Sequence, residues 1–80
     1  MVFSDDMIDE LNLILKFPTK SQMQGLKIHH DANKAMISAA ERLFAKGIIS
    51  QRDGGYLTDL GLDLAEQAQK LQSALSSRLN

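Results

Sequence analysis

The 80-residue chain contains no cysteine, no tryptophan, one proline and four aromatic residues. Without cysteine, the fold cannot depend on disulfide bonds or on thiolate ligands for zinc. No apolar run approaches the roughly 20 residues that span a bilayer, which argues against a membrane partner. The first six residues include acidic side chains where a secretion signal would be basic. We therefore expect a single domain over residues 1–80, located in the reducing cytoplasm.

The sequence also lacks the residue patterns of catalysis. It has no glycine-rich phosphate loop of the right spacing and no serine with a plausible base. Its two histidines, His29 and His30, are adjacent, and adjacent side chains usually point in different directions. The acidic residues near the N-terminus suit the positive end of a helix better than a catalytic pair. We expect no enzyme activity, no metal, no cofactor and no small-molecule ligand.

The net charge of −1 conceals a segregated charge distribution. Residues 1–15 carry a net charge of −4, residues 16–52 carry +5, and residues 53–80 carry −2. A basic segment between acidic ends can attract a nucleic acid even when the whole chain is slightly acidic. The alternative is that solvated helix faces carry such charge runs by chance.

The spacing of apolar residues predicts three helices before residue 47. The first begins at Ser4, whose side chain can cap it, and ends before Pro18. A short second helix is expected from Thr19 or Ser21 to about residue 28, with a stripe formed by Met23, Leu26 and Ile28. The third runs from about Ala32 to Lys46, with Asp31 as a natural cap and Met36, Ile37, Ala40, Leu43 and Phe44 facing inward.

A hairpin and a fourth helix follow. Residues 48–51 and 56–57 have strand composition, and Asp53-Gly54-Gly55 is typical of a hairpin turn. Asp-Gly and Gly-Gly both qualify as the turn pair, so the register stays open. Thr58 is expected to cap a helix over residues 59–79. The element order predicts a mainly α, winged helix-turn-helix-like fold with three helices, a short β-hairpin and a long C-terminal helix.

Part of the C-terminal half resembles a known class of regulators. The stretch AAERLFAKGIIS, followed by GGYLTDLGLDLAE, is similar to the part of MarR-type winged-helix regulators that joins recognition helix, wing and C-terminal helix. The matching positions are Lys46, Gly47, Ile48, Ile49, Leu57, Thr58 and Gly61. The resemblance implies that the third helix reads DNA and that the hairpin is the wing. This wing departs from the pattern, because it is a minimal turn with Asp53 at its tip.

A second resemblance covers nearly the whole chain. The combination of GLKIHHDA, AAERLFAKGIIS and DGGYLTDLG in under 80 residues is similar to a family of small, uncharacterised bacterial proteins. That resemblance implies one compact domain and brings no activity with it.

The third helix and its surroundings are the candidate nucleic-acid interface. Asparagine at position 33 can read adenine edges, and Lys34, beside Ser38, can contact guanine or phosphate. Further phosphate anchors are expected at Lys20, Ser21, Lys27 and Arg52. The sequence therefore predicts a small winged-helix protein that binds duplex DNA as a transcriptional regulator or accessory factor. The alternative is that these residues are ordinary solvated positions.

The C-terminal helix offers a second candidate surface. Its apolar residues recur at nearly the helical period over some twenty residues, which is longer than a small core needs. An exposed stripe of this kind usually marks a partner surface. It predicts a homodimer interface formed by Leu64, Ala68, Leu71, Leu75 and Leu79, unless the first helix folds back over it. The alternative function is a winged-helix-like protein–protein interaction module without DNA binding.

Overall fold

The computed structural model describes residues 2–20 and 24–77, which form three α-helices and a three-stranded antiparallel sheet. The elements, in chain order, are α1 (Asp5–Ile14), β1 (Leu26–Lys27), α2 (Lys34–Ala45), β2 (Ile49–Gln51), β3 (Gly54–Leu57) and α3 (Asp59–Ser76). The mainly helical fold class, with a long C-terminal helix, is confirmed. The architecture is compatible with a winged-helix-like fold.

Each helix begins at a side-chain cap. The side-chain oxygens of Ser4, Asn33 and Thr58 each accept a hydrogen bond from the backbone N–H three residues further on. Such caps satisfy N–H groups that have no partner inside the helix. The predicted caps at Ser4 and Thr58 are confirmed. At α2 the predicted cap Asp31 is wrong, because Asn33 takes that role and the helix begins at Lys34.

The predicted second helix is wrong where the structure describes it. Residues 19–20 and 24–33 contain no helix, and Leu26–Lys27 form strand β1 instead. Leu26 and Ile28 are half-buried, whereas Lys27 between them is exposed. This alternation has the two-residue period of a strand, which here prevailed over the helical spacing. Met23, the first residue of the predicted stripe, lies outside the described residues.

The hairpin uses a different turn from either of the expected pairs. Gln51 lies opposite Gly54, so the connection between β2 and β3 is Arg52–Asp53. Gly54 and Gly55 belong to β3, with φ angles of 119° and 75°. Positive φ is readily available only to glycine. A Cβ at Gly54 would also overlap the carbonyl oxygen of Leu26 in β1, and a Cβ at Gly55 would overlap the hydroxyl of Ser50 in β2. These glycines therefore serve the close pairing of β3 with both of its neighbours.

The core lies where α1 crosses α2 and where the sheet and α3 close against them. Its buried side chains are Leu13, Ile14, Phe17, Ala39, Ala40, Leu43, Ile48, Ile49, Leu57 and Ala65. Phe44, which was predicted to face inward, is exposed instead. The predicted inward positions Met36 and Ile37 are half-buried, whereas Ala40 and Leu43 are fully enclosed.

The end of α2, the chain leading into β2 and the start of α3 pack closely against one another. We call this contact the α2–β2–α3 junction. The Thr58 hydroxyl lies 2.6 Å from the carbonyl oxygen of Gly47 and 3.1 Å from that of Ile48. The same oxygen accepts a hydrogen bond of 3.0 Å from the N–H of Gly61. A Cβ at Gly61 would overlap the carbonyl oxygen of Ile48. The Leu-Thr…Gly pattern behind the MarR-type resemblance is thus explained by packing at this junction.

Candidate functional site

The first candidate surface is a cleft between α2 and the hairpin turn, with a volume of about 300 Å³. We call it the α2–hairpin cleft. Its lining residues are Lys27, Ile28, His29, His30, Ile37, Glu41, Arg52 and Asp53. The structure thus brings together two of the predicted phosphate anchors, one from β1 and one from the turn. It also brings two carboxylates into the same cleft, so the cleft is not a purely basic surface.

The hairpin turn is tied to β1 by an ion pair. The Nζ atom of Lys27 donates a hydrogen bond of 2.7 Å to the carboxylate of Asp53. The hydrogen bond from Lys27 lowers the pKa of Asp53 below its ordinary value. The backbone N–H of Ile28 also donates to the carbonyl oxygen of Asp53, at 2.7 Å. The lysine predicted to hold phosphate therefore neutralises the acidic turn.

Arg52 lies over the exposed ring of Phe44. Its guanidinium carbon is 5.8 Å from the ring centroid, within the range of a cation–π contact. The contact shows that the Phe44 ring lies on the side of α2 that faces the hairpin. It also holds the positive charge of Arg52 at the rim of the α2–hairpin cleft.

The outward face of α2 carries few groups that could read DNA. Lys34, Ser38 and Glu41 are exposed and follow one another at helical spacing, so one cation and one carboxylate share this face. Bidentate recognition of adenine needs both the oxygen and the nitrogen of an asparagine side chain. The oxygen of Asn33 already accepts the capping hydrogen bond, at 2.8 Å.

Two predicted anchors remain, and the structure describes one of them, Lys20. Lys20 is exposed in the segment that follows α1 and does not line the α2–hairpin cleft. Ser21 lies outside the described residues. The structure therefore brings together only part of the predicted interface: Lys27 and Arg52 in the cleft, with Lys34 and Ser38 on the adjoining helix.

A charge cluster that sequence reasoning missed joins α1 to α2. Among the described residues, Glu10 is the one charged side chain that is buried, with 6% of its surface exposed. It accepts a hydrogen bond of 2.9 Å from Nε of Arg42 and another from Nζ of Lys46. The Arg42 guanidinium also donates to the backbone oxygen of Asp6, at 3.3 Å. The sequence did contain one signal for the burial of Glu10. Glu10 lies three residues before the core residue Leu13, which places both on the same face of α1.

The cluster is built to stay ionised. Burial alone would raise the pKa of Glu10, but the hydrogen bonds and charges of Lys46 and Arg42 outweigh burial and hold that pKa below its ordinary value. The hydrogen bond to Glu10 raises the pKa of Arg42, although burial acts in the opposite direction. The sequence assigned Glu10 to an interaction with the macrodipole of α1. In the structure, Glu10 instead pairs directly with Arg42 and Lys46 at the end of α2.

These ion pairs reduce the unpaired positive charge of the basic segment, residues 16–52. Three of the seven cations in residues 16–52 pair with carboxylates from outside that segment. They are Lys27, Arg42 and Lys46. Much of the positive charge that suggested a nucleic-acid partner is therefore balanced within the folded chain.

The second candidate surface is an apolar groove between α1 and α3. Three adjoining cavities of about 370, 380 and 430 Å³ share Leu11 and form one surface, which we call the α1–α3 groove. From α1 and its approach, the lining residues are Phe3, Met7, Glu10, Leu11, Asn12, Ile14 and Leu15. From the rest of the chain they are Leu43, Lys46, Ile48, Leu64, Gln67, Ala68, Leu71, Gln72, Leu75 and Ser76. Among the described residues that line it, the charged ones are Glu10 and Lys46, which pair with each other.

Four of the five predicted dimer residues line this groove. Leu64 is half-buried and Ala68 is buried, whereas Leu71 and Leu75 are 47% and 78% exposed. Leu79 lies outside the described residues. Helix α1 packs along α3 without covering its last two turns, where residues 69–76 are all exposed. Within residues 2–20 and 24–77, this end of the groove is therefore an apolar face that no other element covers.

A family model described as a family of unknown function matches residues 1–76. The chain belongs to this family, DUF5669. The expected membership of a small, uncharacterised family is thereby confirmed, and no similarity to MarR-type regulators accompanies it. No curated protein and no solved structure matches the chain. The function of this DUF5669 chain must therefore be argued from its two surfaces.

Two further findings concern the chemistry of those surfaces. Within residues 2–20 and 24–77, no three histidine, aspartate or glutamate side chains are grouped so that they could hold a metal ion. In the same part of the chain, no helix has both the length and the apolar character needed to cross a bilayer.

Proposed function

We propose that the protein is a winged-helix-like interaction module that binds an amphipathic helix in the α1–α3 groove. The observation that carries the proposal is the continuity of the groove, which runs along α3 from Leu64 to Ser76 and whose charged lining residues among those described, Glu10 and Lys46, pair with each other. Grooves of this shape receive the apolar face of a partner helix in many complexes. An exposed apolar face of this extent is unusual unless it serves an interface.

The exposed apolar side chains supply the driving force. Phe3, Met7, Leu71 and Leu75 are each about half exposed or more. Complete burial of such a side chain contributes roughly 1.5–3 kcal/mol, so burying the exposed half contributes about 1 kcal/mol each. A partner helix would add a similar amount from its own apolar face. Together these contributions suit a reversible complex.

A photo-crosslinking amino acid at position 71, in full-length protein inside cells, tests this proposal. The matched control carries the same probe at position 34, which is exposed on α2, away from the groove. We expect a discrete adduct from position 71 that is absent from position 34, and that is lost when Leu15→Glu places a charge in the groove. Mass spectrometry then identifies the protein in the adduct, and the crosslinking is repeated with the purified components. Failure of position 71 to give any adduct would contradict the proposal.

Binding of duplex DNA is the second candidate, and one specific observation favours it. Lys27 and Arg52 meet in the α2–hairpin cleft, next to Lys34 and Ser38 on the exposed face of α2. A role as a transcriptional regulator or accessory factor depends on this candidate. The opposing consideration is the pairing of Lys27 with Asp53.

Binding of a random-sequence duplex, measured by fluorescence anisotropy across a salt series, tests the second candidate. If this surface holds DNA, affinity falls with salt with a slope equivalent to about three or more ion contacts. Lys34→Glu should then abolish binding, whereas Lys70→Glu, the same charge reversal on α3, should leave most of it. Absence of binding even at low salt would remove DNA from consideration and leave the protein contact.

A further inference from the structure

We propose that the α2–hairpin cleft binds one unpaired guanine base of a single-stranded nucleic acid. The cleft shares no lining residue with the α1–α3 groove, so this inference does not depend on the proposed helix contact. It also differs from the second candidate, in which cations of the cleft would hold the phosphates of duplex DNA. Three features of the cleft support it: an unpaired carboxylate, a small floor between flat rings, and an unpaired guanidinium.

Glu41 supplies the unpaired carboxylate. Of the two carboxylates that line the cleft, Asp53 is paired with Lys27, whereas the exposed side chain of Glu41 forms no ion pair with any described residue. An ionised carboxylate only accepts hydrogen bonds, and its two oxygens can accept two parallel ones. Guanine is the base whose Watson–Crick edge presents two adjacent donors, N1–H and N2–H. The carboxylate should therefore select guanine over adenine, cytosine and uracil.

The size and lining of the cleft suit a single base. Its volume of about 300 Å³ lies at the lower end of the range for small-molecule sites. Ile28 and Ile37 are half-buried and offer apolar surface to the face of a base. The exposed imidazoles of His29 and His30 line the same cleft, and rings of this kind stack on bases in single-strand complexes. In a duplex the Watson–Crick edge is already paired, so the base has to come from a single strand.

Arg52 supplies a positive charge for the phosphate next to the base. It forms no ion pair with any described residue, although Glu41 lines the same cleft. Its guanidinium instead lies over the ring of Phe44, 5.8 Å from the centroid. A guanidinium can donate two parallel hydrogen bonds to a phosphate. The cleft therefore carries separate, unpaired groups for the base and the phosphate of one guanosine nucleotide.

The charge balance of the chain agrees with a site of this size. Lys27, Arg42 and Lys46 are already paired with carboxylates, which leaves few cations to follow a long phosphate backbone. Recognition of one base needs a single cation beside the cleft. Since each phosphate contact adds to the salt dependence of binding, we expect a slope equivalent to about one ion contact. The second candidate instead predicts about three or more.

Fluorescence anisotropy of a short, labelled oligouridine strand with one central guanosine tests this inference. The same strand with adenosine in place of guanosine measures base preference, and the guanosine strand annealed to its complement measures the need for an unpaired base. We expect the guanosine strand to bind about tenfold more tightly than either. The deoxy form of the guanosine strand distinguishes RNA from DNA as the source of the base, and binding of either form supports the inference.

Two variants separate the roles of the charged groups. Glu41→Gln keeps the shape of the side chain but replaces one acceptor by an amide donor, so it should remove the tenfold preference for guanosine. Arg52→Gln should weaken the guanosine and adenosine strands by the same factor, about threefold, because both carry the phosphate. Glu66→Gln, which removes an exposed carboxylate from α3, is the matched control and should change neither affinity. All three positions are exposed, and urea unfolding checks that each variant folds.

Three results would overturn the inference. Equal affinity for the guanosine and adenosine strands would remove the role of Glu41. Tighter binding of the annealed duplex than of the single strand would favour the second candidate instead. Absence of binding to any strand would leave the cleft without a nucleic-acid ligand, whereas the probe at position 71 reports on the α1–α3 groove independently.

Discussion

Replacing Glu10 with glutamine removes one negative charge from the cluster between α1 and α2 while keeping the shape of the side chain. Removing one member of a fully buried ion pair costs about 3–5 kcal/mol, because the partner charge is left without compensation. Here the side chains of Lys46 and Arg42 are 51% and 29% exposed, so water can solvate part of the released charge. We therefore expect Glu10→Gln to lower the free energy of unfolding by about 2 kcal/mol.

Urea and thermal unfolding followed by circular dichroism measure this loss. For a domain of this size, each kcal/mol corresponds to about 4–8 °C, so the midpoint should fall by about 8–16 °C. Glu66→Gln is the control, because Glu66 is exposed on α3 and forms no ion pair with any described residue. It should change stability by less than about 0.5 kcal/mol. Equal, small effects of both substitutions would refute the assignment of Glu10 as the charge that joins the helices.

The same variant should change the dependence of stability on pH. Since the pKa of Glu10 is lowered in the folded chain from an ordinary value of 4.5, the unfolded chain takes up its proton first as pH falls. The stability that Glu10 contributes is therefore present above about pH 4.5 and is lost as pH falls through the folded pKa. Urea unfolding at a series of pH values should show a shallower acid loss for Glu10→Gln than for the wild type. The pKa of Asp53 is also lowered, so the stability of both proteins should still fall to some extent as the pH decreases. Identical slopes would contradict the pKa assignment.

Two substitutions test the junction between α2, β2 and α3, each by urea unfolding. Gly61→Ala places a Cβ against the carbonyl oxygen of Ile48 and should cost about 2 kcal/mol or more, since backbone has to move. Gly47→Ala, with open space around the added Cβ, is a control that reports only the strain of its positive φ. Thr58→Ala removes the cap of α3 and should cost about 1–2 kcal/mol. Ser76→Ala, at the exposed end of α3, should change little, and equal losses at both positions would refute the cap assignment.

The elements that the sequence predicted well are those defined by local signals. Ser4 and Thr58 mark helix starts because an N-cap acts over three residues, and helical spacing of apolar residues identified α1, α2 and α3. Strand β1 was missed because its partner β3 lies almost thirty residues further along the chain. The two glycines at positions 54 and 55 were assigned to the turn, although their positive φ angles serve the pairing of β3 with its neighbours.

The candidate surfaces could be predicted only in part, for a related reason. The apolar stripe of α3 is a property of one helix, so Leu71 and Leu75 could be found from spacing alone. The charge balance depends on contacts between distant residues, such as Glu10 with Arg42 and Lys27 with Asp53. A count of charge along the chain cannot reveal such pairs, so it overstates the unpaired positive charge of residues 16–52.

Amide chemical shifts of ¹⁵N-labelled protein, followed as the partner captured by the position 71 probe is added, test the central claim most directly, because they identify which surface is in contact. We expect shifts at Leu11, Leu71 and Leu75 in the α1–α3 groove, with Lys34 and Ser38 on α2 unchanged. Shifts confined to α2 and the hairpin would contradict the claim.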